Sequence, residues 1–371
     1  MPLIDIIAGA RPNFMKVAAI IRSLEAHKAQ GGHLDYRLVH TGQHYDSRMS
    51  GDFFTQLGIP EPHVNLEVGS GTQAEQTGAI ITRYESLLMD ARSDLCLVVG
   101  DVTSTMACAI AAQKLHVPVA HVEAGIRSGD WSMPEEINRM VTDAITNWFF
   151  TTSEVANANL RRSGVGDERI FFVGNTMIDT LLANMGRLQK PAFFDELGLK
   201  SGEYFVTTMH RPANVDKGDG FARLLRAISE GTRGLPVVFP VHPRTAKTLR
   251  ELGEVPANFR LVDPQPYLEF NYLVKHAMAV ITDSGGITEE TTVMGVPCLT
   301  LRDSTERPET VTTGTNELIG TDPAALAPAL DKLFAGLWKK GDIPEKWDGH
   351  TGERIVQVLD QLLADTSTQV R

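Results

Sequence analysis

The chain has 371 residues, a net charge of −11 and three cysteines, Cys96, Cys108 and Cys298. That length suits two domains, each with its own core, and the acidic balance argues against a nucleic-acid partner, because phosphate backbones select basic faces. With no basic and apolar leader, no apolar run of about eighteen residues and no cysteine at metal-type spacing, a cytoplasmic protein with reduced core thiols, no metal and no membrane attachment is expected.

Short β-branched or aromatic runs at 3–8, 36–40, 95–99, 119–122 and 148–151 alternate with amphipathic segments, and the pattern repeats at 204–208, 237–241, 278–282 and 297–301. Such alternation predicts parallel α/β sheets. Phe171-Phe172-Val173-Gly174-Asn175 closes the first series, and a helix from Thr176 followed by a loose stretch separates it from the second. Two doubly wound domains follow, with the boundary near 172 and a final helix-like segment over 352–364. Ligands bind such sheets outside the carboxyl ends of the strands, here in a cleft where the domains face each other.

The polar groups follow those strand ends. Gly9-Ala10-Arg11-Pro12-Asn13-Phe14-Met15-Lys16 places Arg11 and Lys16 around a glycine turn and a helix start, where cations oppose the helix dipole and a phosphate clamp gives them a reason to be. Gly69-Ser70-Gly71-Thr72-Gln73-Ala74 fits a loose dinucleotide pattern but does not open the first strand–helix unit, which argues against nicotinamide binding. Asp101 and Glu123 follow adjacent strands, so two carboxylates share one sheet edge, as acid–base work requires, although either residue also suits a turn cap. In Pro134-Glu135-Glu136-Ile137-Asn138-Arg139, Glu135 and Arg139 are four apart on one helix face and read by themselves as an ion pair.

The second half answers with His210-Arg211 after its first strand and His242 after its second. Ile281-Thr282-Asp283-Ser284-Gly285-Gly286-Ile287-Thr288-Glu289-Glu290 then turns from strand to helix. Small residues there let a ligand approach helix-start amides, and Glu290, about one and a half turns on, is placed to accept from ribose hydroxyls. The stretch reads as a nucleotide-diphosphate site or as an ordinary strand-to-helix turn. Arg307 adds a cation in Thr305-Glu306-Arg307-Pro308-Glu309.

Taken in order, these motifs, with Gly42-Gln43-His44-Tyr45-Asp46, His121-Val122-Glu123-Ala124-Gly125-Ile126-Arg127 and Val173-Gly174-Asn175-Thr176, resemble the non-hydrolysing UDP-N-acetylglucosamine 2-epimerases. The resemblance spans nearly the whole chain and implies two Rossmann-like domains of glycosyltransferase-B type, 1–172 and 173–352, with a C-terminal helix, 353–371, crossing back onto the first. It implies a homodimer without cofactor, acting on a UDP-amino sugar. Catalytic roles fall on Asp101, Glu123, Glu135 and His210. Substrate contacts fall on Arg11, Lys16, Arg139, Gln265 and Phe270 at the base, Ser284, Gly285 and Gly286 at the diphosphate, Glu290 at the ribose, and Arg307. Gln43, His44, Glu136, Arg211 and His242 match a second, activating substrate site, whereas Asp46, Gly69 to Thr72, and Pro212-Ala213 depart from the family pattern.

The chemistry implied is elimination. A C–H at carbon 2 lies beside no carbonyl and resists a carboxylate, but departure of UDP from carbon 1 makes that proton removable. Return of the proton on the other face and re-addition of UDP invert the centre; the family's intermediate is the glycal.

Overall fold

The structure is a computed structural model that describes residues 1–42, 56–215 and 219–368. In the first sheet, β1 (Leu3–Ala8), β2 (Asp35–His40), β3 (Val64–Asn65), β4 (Leu95–Val99), β5 (Val119–Val122), β6 (Trp148–Thr151) and β7 (Ile170–Phe172) run parallel in the order β3-β2-β1-β4-β5-β6-β7. The second holds β8 (Phe205–Thr208), β9 (Val237–Pro240), β10 (Phe259–Val262), β11 (Ala279–Thr282), β12 (Cys298–Thr300) and β13 (Asn316–Leu318), parallel in the order β10-β9-β8-β11-β12-β13.

Parallel strands joined by helical crossovers are covered on both faces, so their inner members read as unbroken apolar runs. β4, Leu-Cys-Leu-Val-Val, is buried at every residue. Polar residues inside such a sheet require partners. Asp5 of β1 is fully buried and has them: Arg37 donates to it through Nε (2.7 Å) and Nη2 (2.8 Å), and the Tyr84 hydroxyl donates from 2.9 Å.

In both sheets the strand order reverses beside the first strand: β1 lies between β2 and β4, and β8 between β9 and β11. Crossovers leave such neighbours in opposite directions and open a crevice at their carboxyl ends. The chain after β1 and β4, and after β8 and β11, therefore lines the two crevices.

The chain forms two compact units, 1–183 with 345–371, and 184–344. The first thus extends eleven residues past the boundary expected near 172 and regains the chain at 345 rather than 353. The helix Thr176–Asn184 accounts for the first shift, since the Thr180 hydroxyl donates to the Met15 carbonyl (2.6 Å) and Asp179 accepts from the Gly352 amide (2.7 Å). Lys346 and Trp347 account for the second, donating to the carbonyls of Phe172 (3.0 Å) and Thr152 (3.2 Å). Among the described residues no helix is long and apolar enough to cross a membrane.

Candidate active site

In the first unit the turn after β1 leads into the helix Arg11–Ala29, with proline in its first turn, where a missing N–H costs nothing. Asn13 fixes this turn: its Oδ1 accepts from the amides of Gly9 and Ala10 (both 3.2 Å), and its Nδ2 donates to Val99 at the end of β4 (2.9 Å). One turn on, Lys16 Nζ lies 2.7 Å from Glu123 Oε2, with only 11% and 3% of these side chains exposed. Glu123 has φ +69°, a left-handed conformation that costs a non-glycine residue on the order of 1–3 kcal/mol and is characteristic of functional sites. The Phe150 carbonyl holds it there, accepting from the amides of Glu123 (2.9 Å) and Ala124 (3.1 Å). Gly100, at φ +71°, adopts the left-handed conformation that favours glycine, and a Cβ there would lie 3.0 Å from Lys16 Nζ.

Beside this pair Asp101 receives Arg139 through Nη2 (2.6 Å) and Nε (3.1 Å), while Arg139 Nη1 donates to Glu136 (2.8 Å). The expected Glu135–Arg139 pair is thus replaced by pairing with Glu136 three residues back, because Glu136 is turned inward and Glu135 is only half-buried. Burial works to raise the Glu136 pKa, but donation from Ser128, Arg139 and Gly129 outweighs it and holds the carboxyl below its ordinary range. Asp101, with 29% of its side chain exposed, is the open end of this chain of charges.

Behind it lies a network that the sequence did not reveal. His121 contacts the Gly100 carbonyl through Nε2 (2.8 Å) and Asp143 through Nδ1 (2.7 Å), and Asp143 also accepts from Arg127 (2.6 Å) and the Gly125 amide (3.1 Å). Asp143 lies four residues after Arg139 on the same helix, and that spacing was the available signal. The side chain of Arg11 and all of Gln43 and His44 lie outside what is described.

In the second unit, Asp283 follows β11 and is fully buried. It accepts from the amides of His210 (3.1 Å) and Arg211 (2.9 Å) and from Asn214 Nδ2 (3.1 Å), and lies 3.0 Å from His210 Nδ1. Burial pushes its pKa up, and these donors outweigh burial and hold it down. The carboxylate thereby fastens the end of β8 to the end of β11 and orients His210, whose side chain is 47% exposed.

The helix Gly285–Met294 starts at Ser284 without a side-chain cap. Sequence reading assigned three amides to a diphosphate; the Ser284 amide is already donating to Thr282 Oγ1 (2.9 Å), which leaves Gly285 and Gly286 as helix-start donors. Arg302 Nη1 lies 3.7 Å from where a Gly285 Cβ would stand, and Arg302 grips Glu306 with two bonds of 2.7 Å. Arg211 approaches Glu306 at 3.9 Å, and the His210 and His242 rings lie 6.4 Å apart.

Arg302 escaped the sequence reading, since it lies just before the stretch read for Arg307, and Glu306 was quoted in that stretch without a role of its own. Arg307 itself is buried and bonded through Nε to Glu289 Oε1. Glu290 is buried near Asn271 Nδ2 (3.4 Å) and Tyr267, and burial pushes its pKa up to about 7. Gln265 donates to the Asp263 carbonyl (2.8 Å), and Phe270 packs half-buried on the core around Leu273 and Val274.

Two parallel α/β units with charged groups at their switch points define a glycosyltransferase-B-type enzyme. That architecture is shared with the glycosyltransferase SnogD of Streptomyces nogalater (15% identity, TM-score 0.52, 96% of this chain and 100% of that one), a likeness of fold alone. The model of the UDP-N-acetylglucosamine 2-epimerase family matches residues 25–360, and the chain belongs to that family of isomerases. It is 40% identical over 368 residues to the UDP-N-acetylglucosamine 2-epimerase of Methanocaldococcus jannaschii, covering 96% of this chain and 98% of that protein. The crystal structure of that protein in complex with UDP-GlcNAc and UDP superposes with a TM-score of 0.86 (97% and 99% covered). The UDP-2,3-diacetamido-2,3-dideoxy-D-glucuronate 2-epimerase of Pseudomonas aeruginosa is 39% identical over 318 residues, 85% of this chain and 87% of that protein.

Proposed function

We propose that the chain is a non-hydrolysing epimerase that interconverts UDP-N-acetylglucosamine and UDP-N-acetylmannosamine. The observation that carries this reading is the pair of carboxylates at the ends of adjacent strands β4 and β5, Asp101 on Arg139 and Glu123 on Lys16. The similarity to the M. jannaschii enzyme supports the choice of sugar.

The second unit holds the leaving group. The amides of Gly285 and Gly286, with His210, Arg302 and Arg211 nearby, supply donors and positive charge for a diphosphate, and each such donor at a developing anion is worth roughly a hundredfold in rate. In the first unit a carboxylate removes the proton from carbon 2 while the C1–O bond breaks, leaving a C1–C2 double bond and UDP. A second acid of this set, Asp101, Glu123 or Glu135, returns a proton to the opposite face of carbon 2 as a UDP oxygen re-forms the bond to carbon 1. Electrons and atoms balance, so the cycle consumes no redox cofactor. Exclusion of water keeps UDP from being lost.

Incubation with UDP-N-acetylglucosamine alone in D2O, followed by NMR, tests this. The expected product is UDP-N-acetylmannosamine carrying deuterium at carbon 2. Product without deuterium removes the proton-transfer mechanism; free N-acetylmannosamine and UDP indicate a hydrolysing enzyme, and turnover only with an added acceptor a transferase. The P. aeruginosa relative supports a second reading, in which the sugar is a diacetamido uronate. A higher kcat/KM on that substrate decides for it.

A further inference from the structure

A cluster of ligand-type side chains lies at the opposite end of the first helix from the carboxylates. The helix Arg11–Ala29 ends in a Schellman turn, with the Gly32 amide donating to the His27 carbonyl (3.0 Å) and the Gly31 amide to Lys28 (3.0 Å). That turn presses the Gly32 backbone onto the His27 ring: a Cβ on Gly32 would fall 2.1 Å from His27 Nε2. His33 follows, and the C-terminal helix Thr351–Thr368 brings Asp360 to the same point.

His27 Nε2 lies 3.1 Å and His33 Nδ1 3.3 Å from Asp360 Oδ1, and the three atoms all lie within 4.8 Å of one another. His27 Nε2 and Asp360 Oδ1 are buried, yet neither makes a hydrogen bond, so their close approach lacks the alignment of an ordinary imidazole–carboxylate pair. Bonds of about 2.0–2.1 Å to a tetrahedral ion place its ligand atoms about 3.3 Å apart, close to both of these separations.

The geometry points to a divalent transition-metal site at His27, His33 and Asp360, with Zn2+ the fitting ion, that staples the C-terminal helix to the end of the first helix. Two imidazoles and one carboxylate suit zinc rather than the all-oxygen shells of Mg2+ or Ca2+. Sixteen residues of helix at about 1.5 Å each put the site roughly 24 Å from the start of the first helix, so its role is structural. Neither sequence spacing nor family resemblance suggested it, because Asp360 comes from the other end of the chain.

Calorimetric titration of the EDTA-treated full chain with Zn2+ tests the site, with one ion per chain expected. His33→Ala and Asp360→Asn each remove a ligand, while Gly32→Ala keeps all three and displaces the His27 ring; each is expected to weaken binding at least about tenfold. His350→Ala is the control, since its partner Glu353 (3.1 Å) has no third ligand among the described residues, and it should bind as the wild type does. Zn2+ should raise the melting temperature of the wild type but not of His33→Ala, and metal-free melting curves verify that each variant folds. No binding by the wild type, or undiminished affinity in all three ligand-site variants, overturns the assignment.

Discussion

Glu123 combines a left-handed backbone, near-complete burial and a lysine at 2.7 Å. Gln at this position keeps the size and removes the ionisable carboxylate, so Glu123→Gln should lower kcat by roughly a hundredfold or more while UDP affinity stays within about twofold. Single-turnover kinetics and UDP titration check this, and a variant with normal kcat would exclude Glu123 from proton transfer. Glu290 makes a different prediction. Its folded pKa of about 7 exceeds the ordinary 4.5, so the native chain holds this proton more tightly than the unfolded chain. The resulting stabilisation is complete below about pH 4.5 and is lost as pH rises towards 7, on the order of 3 kcal/mol over the interval. Glu290→Gln keeps the neutral form throughout, so urea unfolding should show the wild type losing stability relative to the variant between about pH 4 and pH 8. Parallel pH profiles would refute the buried-proton reading. Residue identities at both positions were legible, because each lies at a fixed distance from a strand end; their partners Lys16, Tyr267 and Asn271 are set by packing.

At the scale of elements, the inner strands were readable, and of the four edge strands only β7 was. β1, β4, β5, β8 and β11 are covered on both faces and form apolar runs, whereas β3, β10 and β13 sit at sheet edges, have mixed exposure and were absent from the sequence reading. The Ser284-Gly285-Gly286 turn was readable as a helix start, but the engagement of the Ser284 amide by Thr282 depends on local geometry. This element separates folding from binding. An acid in the first turn suits the helix dipole, so Gly285→Asp should leave the melting temperature unchanged or slightly higher, and its charge should weaken UDP binding at least tenfold by repelling the diphosphate. Unchanged UDP affinity would remove the turn from the diphosphate site.

For the whole molecule, the first unit is completed by the end of the chain. Trp347 is 1% exposed and bonded to Thr152, and Gly352 approaches the Ala19 carbonyl so closely that a Cβ would lie 2.6 Å away. Trp347→Ala should therefore cost about 3–5 kcal/mol in chemical denaturation, the usual loss for an emptied aromatic site. A loss below about 1 kcal/mol would show that the crossing contributes little.

Alternation of buried runs and amphipathic segments determined the α/β class, and the order of polar motifs after the strands determined the family, because backbone periodicity and strand-end placement are properties of local sequence. Only the tertiary structure decided that Arg139 joins Asp101 to Glu136, that His121 and Asp143 lie behind them, that Arg302 stands beside Gly285, and that His27, His33 and Asp360 meet. Apart from Glu136 and Arg139, three apart on one helix, these pairings depend on strand order and on the return of the last helix, which bring together residues far apart in the chain.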